Sequence, residues 1–126
     1  MTGASILVVD DNPLNQKLTK LLLLKSGYQV QTVANAQEAL ATLNTFAPDL
    51  ILMDLQLPGM DGFELTRLLK KHPAMQKVVI VALTAYAMKG DEDRAREAGC
   101  DGYIAKPLDT RSLPGLIAQY LASRPS

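Results

Sequence analysis
Apolar residues follow two rhythms along this chain. Short unbroken runs at residues 6–9, 50–53, 78–83 and 103–105 alternate with stretches in which apolar positions recur every three or four residues. Runs of this kind read as strands of a parallel sheet covered on both faces, and the periodic stretches read as helices. Residues 29–33 alternate instead, as a half-exposed strand would. Asn12 followed by Pro13 predicts a helix start, with Leu14, Leu18, Leu21 and Leu22 as its apolar face and Gly27 as its left-handed stop. Asn35 and Glu38 resemble a capping box opening a second helix. Pro48 and Asp49 punctuate the chain before the third strand.

Residues 56–62 contain Pro58, Gly59 and Gly62 and predict a loop leading into a helix that runs to about Lys71. In the segment 88–98, Glu92 stands four residues before Arg96 and Asp91 three before Arg94, which predicts a solvated helix closed by Gly99. Asp109 or Ser112 is expected to cap the last helix, with Pro114 and Gly115 making its first turn irregular. The resulting order is βαβαβαβαβα, an α/β arrangement.

Composition narrows the class. With 126 residues and 48% hydrophobic content, one domain can bury a core without disulfides or structural metals. The expected boundaries are 1–126, with a core of about 5–122 and no output domain. Thirteen basic and thirteen acidic residues cancel, so there is no global attraction to nucleic acid or an anionic membrane. The single cysteine, Cys100, cannot pair internally, and no apolar run approaches the ~20 residues of a membrane span. A cytoplasmic protein without membrane insertion is expected.

The candidate chemistry lies at the run ends. Asp10 and Asp11 follow the first run, Asp54 the second, Thr84 closes the third and Lys106 follows the last. In parallel α/β sheets the C-terminal strand ends face a common crevice. Three carboxylates, a hydroxyl and an ammonium would converge there. Nearby carboxylates repel one another unless a cation compensates, and hard oxygen donors without histidine or cysteine suit Mg²⁺ better than zinc. A carboxylate can also attack phosphorus when charge on the transferring group is stabilised. Asp54 is the leading candidate, with Lys106 and Thr84 as partners of the phosphoryl oxygens.

These residues sit inside longer signatures: Ile6-Leu7-Val8-Val9-Asp10-Asp11-Asn12; the run from Leu52-Met53-Asp54 through Leu57-Pro58-Gly59-Met60-Asp61-Gly62; Ala82-Leu83-Thr84-Ala85; and Gly102-Tyr103-Ile104-Ala105-Lys106-Pro107. The ordered set, spread over nearly the whole chain, resembles the receiver domains of two-component response regulators. The Asp-Asp-Asn-Pro opening looks most like stand-alone receivers and those of hybrid kinases or phosphorelays. The resemblance implies a flavodoxin-like, doubly wound, five-stranded parallel sheet of order 2-1-3-4-5; the chemotaxis member of this family is a standard example of that order.

For function, the resemblance implies a receiver that takes a phosphoryl group on Asp54 from a histidine kinase or histidine phosphotransfer protein and then signals to a downstream target by protein contact. Mg²⁺ would be held by Asp11, Asp54 and the Gln56 backbone carbonyl, with Asp10 acting largely through metal-bound water. Thr84 and Tyr103 would form the switch and the bond before Pro107 would be cis. Gln56 and Tyr86 occupy the positions that set how readily water attacks the phosphoryl group, and bulky Tyr86 predicts slow self-dephosphorylation. Such a protein catalyses only its own phosphorylation and dephosphorylation, and a monomer or weak homodimer is expected.

Other residues carry little chemistry. His72 suits a helix C-terminus, Cys100 reads as a packing thiol, and Met53, Met60, Met75 and Met88 show no ligand spacing. The rival reading is a small Mg²⁺-dependent phosphatase with an aspartyl nucleophile. Such enzymes need Asp-x-Asp on the first strand, whereas Asn12 stands two residues after Asp10 and Pro13 two after Asp11. A flavodoxin would need a hydroxyl- and glycine-rich phosphate loop where this chain has Asp10-Asp11-Asn12. Direct DNA binding would require a basic helix or a second domain.

Overall fold
The structure is a computed structural model that describes residues 4–55, 62–84, 91–105 and 111–122. Its elements, in chain order, are β1 (Ser5–Val9), α1 (Pro13–Lys25), β2 (Gln29–Val33), α2 (Ala36–Thr42), β3 (Leu50–Asp54), α3 (Gly62–Lys70), a 3₁₀ turn (Pro73–Met75), β4 (Val79–Thr84), α4 (Asp91–Ala98), β5 (Gly102–Ala105) and α5 (Leu113–Ala122). The five strands are parallel and ordered β2-β1-β3-β4-β5.

Alternation along the central strands divides the core. Leu7, Val9, Ile51, Met53, Ile80 and Ala82 pack on one face with residues of α2, α3 and α4. Ile6, Val8, Leu50, Leu52, Val81 and Leu83 pack on the other with Leu23 of α1 and Leu113 and Ile117 of α5. Burial on both faces is why these strands are continuous apolar runs. β2, at an edge, keeps the polar alternation expected of it.

Local signals set the helix ends. Asn12 Oδ1 accepts from the amides of Leu14 and Asn15, at 2.9 and 3.2 Å, and Pro13 takes the first helical position, where no amide is needed. Gly27, at φ 94°, and Gly99, at φ 111°, end α1 and α4 in the left-handed region. Asn35 Oδ1 accepts from the Glu38 amide at 2.8 Å, while Glu38 reaches past the cap to the Ala34 amide at 2.8 Å.

Two expectations change, at α1 and α5. The apolar face predicted for α1 points outward: Leu14, Leu18 and Leu21 are 74, 44 and 57% exposed and Leu22 is half-buried, whereas Thr19 and Leu23 are buried. The helix is leucine-rich around most of its circumference, so periodicity alone selects the wrong stripe. α5 is a helix from Leu113, with Pro114 in the first turn, where its missing amide leaves no hydrogen bond unmade, and the Leu116 amide bonds the Ser112 carbonyl at 3.0 Å. His72 follows the end of α3 as expected, and also precedes the 3₁₀ turn. In α4 Asp93 pairs with Arg96 at 3.8 Å and Arg94 lies over the Phe63 ring, 4.5 Å from its centroid; the side chains of Asp91 and Glu92 lie outside the described residues.

Cys100 packs as expected. It is buried, its thiol lies 3.8 Å from the Thr66 hydroxyl, and burial pushes its pKa above the ordinary thiol value.

Candidate functional site
Sheet register builds the site. Val9 pairs with Met53, so the next residues, Asp10 and Asp54, emerge side by side from β1 and β3. Asp11 follows at the turn into α1. One carboxylate oxygen from each of Asp10, Asp11 and Asp54 lies within 4.8 Å of the others. Asp10 and Asp54 are almost fully buried and Asp11 is exposed, so the cluster opens to solvent on one side.

Backbone contacts hold this arrangement. Asp10 Oδ1 accepts from the Asn12 amide at 2.9 Å, and the Asp10 amide bonds the Val33 carbonyl at 3.0 Å. The Gln16 side-chain amide donates to the carbonyls of both Asp10 and Val33, tying α1 to the ends of β1 and β2. Sequence reasoning passed over Gln16. It lies three residues before Thr19 and seven before Leu23, on the inward face of α1, and a polar residue there gives little periodic signal.

Gly62 performs a similar service for β3. Its amide donates to the Leu55 carbonyl at 3.2 Å, and a Cβ added to it would stand 2.5 Å from the Asp54 carbonyl oxygen and 2.7 Å from Leu55 Cα. Only glycine lets α3 begin against the strand end. Thr66 Oγ1 then donates back to the Gly62 carbonyl at 2.7 Å.

The remaining expected site residues stand as follows. Thr84 ends β4, one residue beyond Leu83, the register partner of Asp54; its side chain lies outside the described residues. Gln56, Tyr86, Lys106 and Pro107 also lie outside them. Tyr103 is half-buried on β5 and lines a cavity of about 190 Å³ together with Ala95, Arg96, Cys100 and Tyr120.

Three carboxylates in this space favour a hard divalent cation, and the absence of histidine or cysteine from the cluster suits Mg²⁺. Small hard cations of this type are commonly shared between one or two carboxylates and phosphate oxygens. The donor set therefore fits a site that binds Mg²⁺ and a phosphoryl group together.

Comparison with known proteins agrees with this geometry. The sequence model of the response regulator receiver domain matches residues 6–118. The polar-differentiation response regulator DivK of Brucella anthropi is 44% identical over 117 residues, 93% of this chain and 95% of that protein. Among solved structures, the receiver domain of sensor histidine kinase PA1611 from Pseudomonas aeruginosa, described with a magnesium ion coordinated in its active site cleft, superposes with a TM-score of 0.87. It is 36% identical and the match covers 97% of this chain and all of that one. The chemotaxis response regulator CheY4 of Vibrio cholerae gives a TM-score of 0.89 at 27% identity, over 94% of this chain and 99% of that one.

Proposed function
The chain belongs to the response regulator receiver family and is a phosphoacceptor signalling domain; from that premise we propose that Asp54 is the residue phosphorylated, with Mg²⁺ as the required cation. The observation that carries this reading is the convergence of Asp10, Asp11 and Asp54 at the ends of adjacent strands. Nothing in the comparisons favours the phosphatase alternative.

Asp11 and Asp54 would hold the ion directly, with the Gln56 carbonyl carried over from the family resemblance and Asp10 acting through water. An ion held there would supply positive charge to offset that of the phosphoryl oxygens and the carboxylates. Asp54 then supplies the nucleophilic oxygen: its bond to phosphorus forms as the phosphorus–nitrogen bond to a donor histidine breaks, and the imidazole leaves with the electron pair. Lys106 and the Thr84 hydroxyl are assigned to the remaining phosphoryl oxygens on the same resemblance. Tyr86 is assigned to shielding the acyl phosphate from water.

The donor is a histidine kinase or histidine phosphotransfer protein, and the exposed leucines of α1 support a docking role for that helix. α1 begins at the carboxylate cluster, which puts its exposed leucines beside the mouth that a protein presenting phosphohistidine to Asp54 would face. Output is assigned to a target protein, through Thr84 and Tyr103, and the cavity beside Tyr103 supports movement of that ring. We read the chain as one receiver domain acting in the cytoplasm; among the described residues, no helix is long and apolar enough to cross a membrane.

Acetyl phosphate with Mg²⁺ should label the wild type once, and Asp54→Asn should abolish the label. Persistence of the same acid- and base-labile label in that variant overturns the assignment. Leu18→Glu should slow transfer from a phosphohistidine protein by about tenfold or more, equivalent to 1.4 kcal/mol, while leaving acetyl phosphate labelling unchanged.

A further inference from the structure
The receiver reading leaves one surface unused. Between the C-terminal halves of α2 and α3 runs a groove of about 490 Å³, lined by Leu40, Leu43, Asn44, Leu69, His72 and Met75. Leu43 and Met75 are partly buried against the core that fills this face of the sheet, so the groove floor continues the hydrophobic core. Leu40, on one wall, is 37% exposed, and Leu68 is an exposed neighbour on α3. In a parallel β-α succession, helices run back against the strands. The groove therefore lies at the end of the sheet opposite the Asp10, Asp11 and Asp54 cluster.

Charge selects the occupant. The wall contributed by residues 39–48 contains no charged side chain. The wall contributed by residues 65–77 contains Arg67, Lys70, Lys71, His72 and Lys77 and no acidic residue. Lys70 is held by Asp101 at 3.1 Å, but Lys71 and Lys77 are exposed, each within two residues of a lining residue, His72 or Met75. In a chain of zero net charge, this is a local concentration of positive potential around an apolar slot.

We propose that the α2–α3 groove is a second docking surface, for an acidic amphipathic helix of a partner protein. Two adjacent helices with an apolar furrow between them accept a third helix through leucine-type anchors spaced three and four apart. α2 has seven residues and α3 nine, which at 1.5 Å per residue spans about 10–14 Å, or two to three turns of such a helix. Glutamates flanking the anchors would meet Lys71 and Lys77. Because the groove and the carboxylate cluster lie at opposite ends of the sheet, occupation of one leaves the other open.

The test uses the whole chain and an acetylated helical peptide of about 14 residues, with leucines three and four apart and glutamates at the other positions. Titration into ¹⁵N-labelled protein should give saturable shifts centred on residues 40–44, 69, 72 and 75. Leu40→Glu, a change at an exposed position, should weaken binding by about tenfold, or 1.4 kcal/mol. Lys71→Glu should weaken it less, and more so at low salt. Acetyl phosphate labelling of both variants should match the wild type. The proposal is overturned by equal binding of the peptide with lysine in place of glutamate, by shifts centred on Leu14, Leu18 and Leu21, or by the lack of any saturable shift.

Discussion

Aspartates stand at both ends of this sheet in different company. At the N-terminal end, Asp49 precedes β3 and Asp101 precedes β5, and each bridges to a neighbouring strand. Asp49 Oδ2 accepts from the Ser5 amide at 2.8 Å; Asp101 Oδ2 accepts from the Ile80 amide at 2.9 Å and from Lys70 Nζ at 3.1 Å. Each of these carboxylates meets donors already present in the protein. At the C-terminal end, Asp10, Asp11 and Asp54 bring oxygens within 4.8 Å of one another, and mutual repulsion there favours a cation from solution. What sets the C-terminal group apart is the close approach of three carboxylates: Asp10, like Asp49 and Asp101, accepts a backbone amide, but it also faces two other carboxylates.

That contrast is sharpened most by adding the ion. A ligand that binds only the folded state stabilises it by about 2.7 kcal/mol at one hundred times its dissociation constant. Urea unfolding of the wild type at saturating Mg²⁺, against the same protein in EDTA, should show a gain of that order. Asp11→Ala should lose most of it, whereas Asp101→Ala should retain it in full. An equal Mg²⁺ gain in Asp11→Ala would place the ion elsewhere.

The second test breaks the other end. Asp101→Ala removes the acceptor of the Ile80 amide, whose residue is fully buried, and leaves Lys70 with the Val78 carbonyl at 2.8 Å. The ion pair alone is worth little, because the Asp101 side chain is 44% exposed. The unsatisfied amide dominates, and the expected loss is about 2 kcal/mol in urea unfolding. Phosphorylation by acetyl phosphate at low temperature should be unchanged. A loss of labelling with stability intact would mean that the two ends are coupled.

The two ends also differ in how much of them could be read from the sequence. The unbroken runs reveal buried parallel strands, and the polar residue closing each run identifies Asp10, Asp11 and Asp54 directly, because parallel register carries equivalent strand ends to one edge. The caps at Asn12 and Asn35 were equally legible, since their partners lie within a few residues. Asp49 was legible only as punctuation and Asp101 not at all. Their donors, Ser5 and Ile80, lie 44 and 21 residues away and become neighbours only through the fold. The inward face of α1 was misread for a related reason: with leucine at 14, 18, 21, 22, 23 and 24, hydrophobicity does not choose a side, and sheet packing does.

Cys100, next to Asp101, offers a pH test of burial. Desolvation raises its folded pKa, so the folded state holds the thiol proton after the unfolded chain has released it. Its contribution to stability is complete below the unfolded thiol pKa and is lost as pH rises through the folded one. Alkylation by iodoacetamide at pH 8 should therefore be slow in the native protein and rapid in urea. Equal rates would show that the thiol is accessible in the folded chain.

The smallest expected effect falls at Gln16, where the two ends converge in method. Its side-chain amide binds the Asp10 and Val33 carbonyls, joining neighbouring strand ends as Asp49 and Asp101 do with carboxylates at the opposite edge. A carboxylate there would add a fourth negative charge near the cluster and could not donate to either carbonyl, so a neutral donor is what this end requires. Gln16→Ala should cost about 1 kcal/mol in urea unfolding, the net worth of a hydrogen-bonded side chain, and weaken Mg²⁺ severalfold by loosening the Asp10 strand end. Gln16→Glu, closer in shape, should weaken the fold more than Gln16→Ala when Mg²⁺ is absent, and recover part of that loss when the ion is added. If the glutamate variant matches the wild type in EDTA, the amide is not the staple, and the strand ends are held by their own backbone bonds.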